Sequence, residues 1–149
     1  VIDAPMIPVS VPATECAARI GDVKVYNDAQ TSELAHALVV KLDINTAGCG
    51  NQFVRSAVWV YQAENVPLMV PDGDPVYRSP IGQLSAQTLA RVEGSEVSLR
   101  QGLAIPHSLF PIAVNVPQWL TIGIQVWPEG RPADAGSMIV QQVYFTRVE

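Results

Sequence analysis

Charge is scarce in this sequence. Charged residues make up 15% of the 149, and 9 Lys and Arg stand against 14 Asp and Glu, for a net charge of −5. The apolar share is 48%, so intrinsic disorder is excluded, because disorder requires few apolar groups and much charge. The composition is also wrong for a coiled coil, in which Ala, Glu, Lys, Leu and Arg dominate. A net acidic domain repels phosphate, which argues against nucleic acid and anionic membrane surfaces as partners. No apolar run approaches the roughly 20 residues that a membrane helix requires, so no membrane insertion is expected.

Chemistry-bearing residues are equally sparse. There are 2 histidines and 2 cysteines. His36 falls on the apolar face of a strand-like stretch and reads as a hydrogen-bonded core histidine. His107 lies in a proline-bounded loop beside Ser108. Adjacency in sequence does not make that pair a nucleophile and base, and nothing supplies a third, orienting group. No Gly-x-Ser-x-Gly elbow and no Gly-rich phosphate loop occurs. Positions 16, 36, 49 and 107 match no compact zinc-ligand spacing. Asp72-Gly73-Asp74 offers two hard oxygens to a calcium ion, but between Pro71 and Pro75 the same residues suit a turn. No catalytic residue, metal ligand or cofactor is therefore assigned.

What the sequence does contain is two-residue periodicity. Leu34 to Ile44 places His36, Leu38, Val40, Leu42 and Ile44 on one face, with Lys41 and Asp43 on the other. Phe53 to Gln62 sorts Val54, Val58 and Val60 against Arg55, Trp59 and Tyr61. Trp119 to Trp127 sorts Leu120, Ile122, Ile124 and Val126 against Trp119, Thr121, Gly123, Gln125 and Trp127. Met138 to Val148 alternates in the same way, with Tyr144 opposite Val143 and Phe145. Weaker strands are expected over Ile20 to Tyr26, Gln87 to Val92 and Glu96 to Ala104. These stretches are rich in β-branched and aromatic residues, and Pro, Gly, Asn and Asp clusters separate them. The spacing predicts one all-β domain over residues 16–149. Its architecture is an antiparallel β-sandwich of about seven to nine strands, immunoglobulin-like or jelly-roll-like. Short helices are expected at Ala29 to Ala35 and at Ser79 to Leu84.

Residues Val1 to Glu15 read as an extended arm, because Pro5, Pro8 and Pro12 fix φ and remove donors. Ile7, Val9 and Val11 alternate with Pro8, Ser10 and Pro12, which suits a strand that exchanges onto another sheet edge. Cys16 and Cys49 are expected to form a disulfide worth roughly 3–4 kcal/mol through loop closure. Such a bond places the protein in an oxidising, extracytoplasmic compartment, secreted, periplasmic or on the cell surface.

Parity also carries the one functional inference. Trp59, Tyr61, Trp119, Trp127 and Tyr144 all fall opposite the aliphatic faces of their strands. Large amphipathic rings gathered outside a core either lie under a covering segment or form a contact surface. The candidate covers are the N-terminal arm and Leu103 to Pro117. As a contact surface, the rings suit a non-enzymatic module binding a protein or a glycan, since aromatic platforms stack against pyranose faces. Two other readings belong to different classes. One is a pilus- or virion-like structural subunit that forms homo-oligomers by strand exchange through the arm. The other is a small hydrolase using acidic residues that the sequence does not single out.

Overall fold

The structure is a computed structural model and describes residues 16–94 and 96–149. The expected arm, Val1 to Glu15, lies outside the described residues. Among the described residues, eight strands form two antiparallel sheets. The first sheet, in spatial order, contains β1 (Ala17–Ala29), β2 (Ala37–Ala47) and β6 (Glu96–Pro106). The second is built on β3 (Phe53–Ala63), β7 (Gln118–Pro128) and β8 (Ser137–Phe145). On the far side of β3, the two-residue β4 (Val66–Pro67) and β5 (Ser85–Arg91) pair end to end along one edge. β2 and β3 lie in opposite sheets, as do β5 and β6, and β6 and β7. The result is the expected all-β sandwich.

Each expected strand is present, and, His36 apart, the inward residues of β2, β3 and β7 are those that alternation assigned. Leu38, Val40, Leu42 and Ile44 of β2 pack in the core with Val54, Val58 and Val60 of β3 and with Leu120, Ile122, Ile124 and Val126 of β7. Burying a side chain of this size stabilises by about 1.5–3 kcal/mol relative to leaving it in water. Ser56 also points inward, opposite Thr88 and Val126, and its hydroxyl is buried with no hydrogen-bond partner among the described residues.

Cys16 and Cys49 form the disulfide. Cys16 immediately precedes β1 and Cys49 follows β2, and Ala17 pairs with Ala47 in the ladder. The bond therefore closes the open end of the β1–β2 pair. Such bonds persist in oxidising compartments.

Several sequence expectations are corrected. Neither short helix forms. Residues 30–36 are bends, in which the Thr31 hydroxyl accepts from the backbone N–H of Glu33 and Leu34. A Thr hydroxyl that bonds the backbone locally competes with helix formation in this way. Ser79 to Leu84 is a turn: Gly82 sits at φ +92°, a conformation that a helix does not contain, and the Ser79 hydroxyl accepts from Gln83 N–H.

The two histidines exchange their expected roles. β2 begins at Ala37, so His36 lies before the ladder, where its half-exposed ring meets Asp28 at 2.8 Å. His107 is the buried one, 1% exposed. Its Nδ1 accepts from Val148 N–H at 2.9 Å, and its Nε2 donates to the Asn27 carbonyl at 2.7 Å. Both ring nitrogens are thus engaged, and none is left to take a proton from Ser108.

Leu103 to Pro117 does not cover the outward rings. It completes β6, turns through His107–Leu109 and sends Phe110 into the core, where its ring stacks on Phe145 at 4.4 Å between centroids. Leu109 and Ile112 pack against the same core, so this segment plugs one end of the sandwich.

Candidate functional site

In antiparallel pairs, residues directly opposite one another share a face. The register of the second sheet therefore defines its outer surface without further assumption. Trp119 of β7 lies opposite Tyr144 of β8, and Thr121 opposite Gln142 and Tyr61. Gly123 lies opposite Val140 and Trp59, Gln125 opposite Met138 and Ala57, and Trp127 opposite Arg55. All five aromatic residues singled out from the sequence thus project from one face. Parity had not drawn attention to Met138 and Val140, which stand on the same face of β8 and are exposed. Their signal was present in the alternation of Met138 to Val148, but they are not aromatic and so were not singled out.

The rings do not share one environment. Trp119 is 62% exposed and Tyr144 is 53% exposed, and their ring centroids are 5.0 Å apart. Trp59 and Tyr61 are half-buried. The Trp59 indole N–H donates to Gln125 Oε1 at 2.9 Å, which fixes that ring against the sheet. Trp127 points outward by register yet is only 8% exposed. Its neighbour Arg55 is held by Glu129 at 2.7 Å and by Gln87 at 3.2 Å. The β7–β8 connection returns over the same end of the strand: Gln125 Nε2 donates to the Ala133 carbonyl, and Gly136 lies so close that a Cβ there would sit 1.8 Å from the Val126 carbonyl oxygen. One end of the face is therefore covered from within, and the Trp119–Tyr144 end is open among the described residues.

A glycine at the centre of a strand marks a close approach. A Cβ at Gly123 would lie 2.6 Å from Met138 Cε, 3.4 Å from Tyr61 Cε1 and 3.6 Å from Trp59 Cδ1. The missing side chain lets these three groups converge, and two hollows flank them. One, of about 340 Å³, is lined by Trp59, Tyr61, Met138 and the Ser79-to-Gln83 turn. The other, of about 350 Å³, is lined by Tyr61, Met138 and Val140 together with polar groups of β7, β8 and the β3–β4 turn.

Elsewhere, the described residues contain no group of three His, Cys, Asp or Glu side chains placed to hold a metal ion. Asp74 spends Oδ1 on the backbone N–H of Val76, capping the 3-10 turn Pro75–Tyr77, which is a turn role for Asp74. Compared with known proteins, the chain matches no family model and no curated sequence. Fold and surface together define an antiparallel, disulfide-bonded β-sandwich whose larger sheet carries an aromatic outer face.

Proposed function

We propose that this protein is a non-enzymatic, extracytoplasmic binding module that engages a protein or glycan partner through the outer face of its five-stranded sheet. The observation that carries this reading is the open Trp119–Tyr144 pair. Two large rings in contact, each more than half exposed, make an apolar surface that does nothing for the core beneath it. Contiguous surfaces of this kind mark contact sites in soluble domains, and Trp and Tyr dominate the energetics of such contacts. The disulfide supports the compartment, because cytosolic thiols are kept reduced.

The test compares the wild-type chain with Trp119→Ala/Tyr144→Ala on arrays of extracellular proteins and of glycans. The expected result is a specific wild-type ligand whose affinity falls at least about 100-fold in the double variant, while thermal stability changes little. A ligand bound equally well by both chains would place the contact elsewhere and end this reading.

A further inference from the structure

The hollow of about 350 Å³ beside Tyr61 differs in chemistry from the rest of the aromatic face. Three strands and a turn converge on it. β3 supplies Tyr61, β7 supplies Thr121, β8 supplies Gln142 with Val140, and the β3–β4 turn raises Glu64 and Asn65 at the rim. That turn holds Asn65 at φ +59°, a conformation that Asn tolerates better than most residues. The side chains of Glu64, Asn65, Thr121 and Gln142 make no hydrogen bond to any described residue. A carboxylate, two carboxamides and a hydroxyl thus surround one aromatic ring, with their hydrogen-bonding capacity unspent.

The neighbouring hollow of about 340 Å³ behaves differently. Its amides are already committed: Gln125 bonds the Trp59 indole and the Ala133 carbonyl, and Gln83 Nε2 donates to the Val60 carbonyl at 2.9 Å. What remains there is the Trp59 ring with Pro80 and Ile81. The two hollows share Tyr61 and Met138 as a common ridge.

We propose that the Tyr61 hollow is a subsite for a neutral or amine-bearing pyranose ring of a glycan, with the next sugar of the chain running over Trp59. The inference rests on the reading of this face as a contact surface and names its ligand. A pyranose has an apolar C–H face that stacks on an aromatic ring and an equatorial rim of hydroxyls that both donate and accept. The hollow offers the ring for the first, and carboxamides, a hydroxyl and a carboxylate for the second. Each hollow falls near the lower bound of small-ligand sites, about 300 Å³, which suits single rings. Charge complementarity selects among sugars. Among the described residues, Glu64 is the sole charged residue lining either hollow, and the chain carries a net charge of −5. Uronates, sulfated sugars and phosphorylated sugars would meet repulsion with no cation to offset it.

Calorimetric titration of the full chain tests this with tetrasaccharides of glucose, mannose, galactose, N-acetylglucosamine and glucosamine, and with an oligogalacturonide as the anionic probe. The expected result is binding of at least one neutral or amine-bearing tetrasaccharide, no binding of the oligogalacturonide, and a loss of at least about tenfold in affinity in Tyr61→Ala and in Gln142→Ala. Gln142 is exposed and outside the core, so its variant keeps the test readable should Tyr61→Ala fail to fold. The proposal is overturned if no tetrasaccharide binds, if the oligogalacturonide is the one bound, or if binding survives both variants. A tetrasaccharide whose binding is lost in Trp119→Ala but kept in Tyr61→Ala and Gln142→Ala would overturn the subsite while leaving the contact face standing. An array in which only proteins bind, through Trp119, would do the same.

Discussion

Across the middle of β2 and β6, the side chains turned away from the core are Lys41, Asp43, Asn45, Ser98 and Arg100. Across β3, β7 and β8 they include Trp59, Tyr61, Trp119, Thr121, Gln125, Met138, Val140, Gln142 and Tyr144, with Arg55 at the covered end. The two sheets bury inner faces of the same aliphatic kind, yet one outer surface is charged and the other aromatic. On the charged side, Arg100 meets Asp43 at 3.3 Å and the Lys41 ammonium lies 5.6 Å from the Tyr26 ring. On the aromatic side, the open rings add little to folding, because burial is what stabilises an apolar group. On that difference rests the proposal that the five-stranded sheet carries the contact surface, and the sheet divides again, into an end covered by its own loop and an end that is open among the described residues.

The sharpest way to break this comparison is to truncate one ring from each end. Trp127→Ala should cost about 3–5 kcal/mol, as for other buried aromatics, whereas Trp119→Ala should change stability by less than about 1 kcal/mol. Denaturant unfolding of the two variants measures both. Equal costs would show that the covered and open ends are not distinct. Replacing Cys16 and Cys49 together by Ala should destabilise by about 2–4 kcal/mol, since the bond restricts the unfolded chain across a separation of 33 residues. The loss should appear in non-reducing thermal unfolding, and adding reductant to the wild type should reproduce it. The smallest effect belongs to the charged face. Asp43→Asn should shift stability by less than about 0.5 kcal/mol, and by less still in high salt, because Arg100 is almost fully exposed. A larger loss would mean that this face also carries structural weight.

Much of the fold was legible because a strand sorts its side chains mechanically. Leu120, Ile122, Ile124 and Val126 had to share a face, and Trp119 and Trp127 had to point away from it, whatever the sheets did next. The directions of all five aromatic residues followed from that rule. Their environments did not. Trp127 is buried at the end of the strand where the β7–β8 connection returns, with Gln125 bonded to Ala133 and Gly136 pressed against the Val126 backbone, and nothing local to Trp127 announces that return. The histidines were misplaced for a related reason. His36 fits the periodicity of β2, but the ladder starts one residue later, and where a ladder starts depends on its partner strand. His107 looked like a loop residue and became a core residue because Asn27 and Val148, distant in sequence, supply partners for both ring nitrogens. The Tyr61 hollow was invisible at that level, since it needs Glu64, Thr121 and Gln142 brought together from separate elements.

By itself, the order of residues determined which side chains enter the sandwich and which leave it, because pleated backbone alternates regardless of context. It also indicated the disulfide, through an even cysteine count and the turn-like stretch around Cys49. Only the tertiary structure decided which outward rings remain in contact with solvent and which polar groups gather around Tyr61. Those outcomes depend on how non-neighbouring strands register and where loops return, and such long-range geometry is written in no single stretch of the chain.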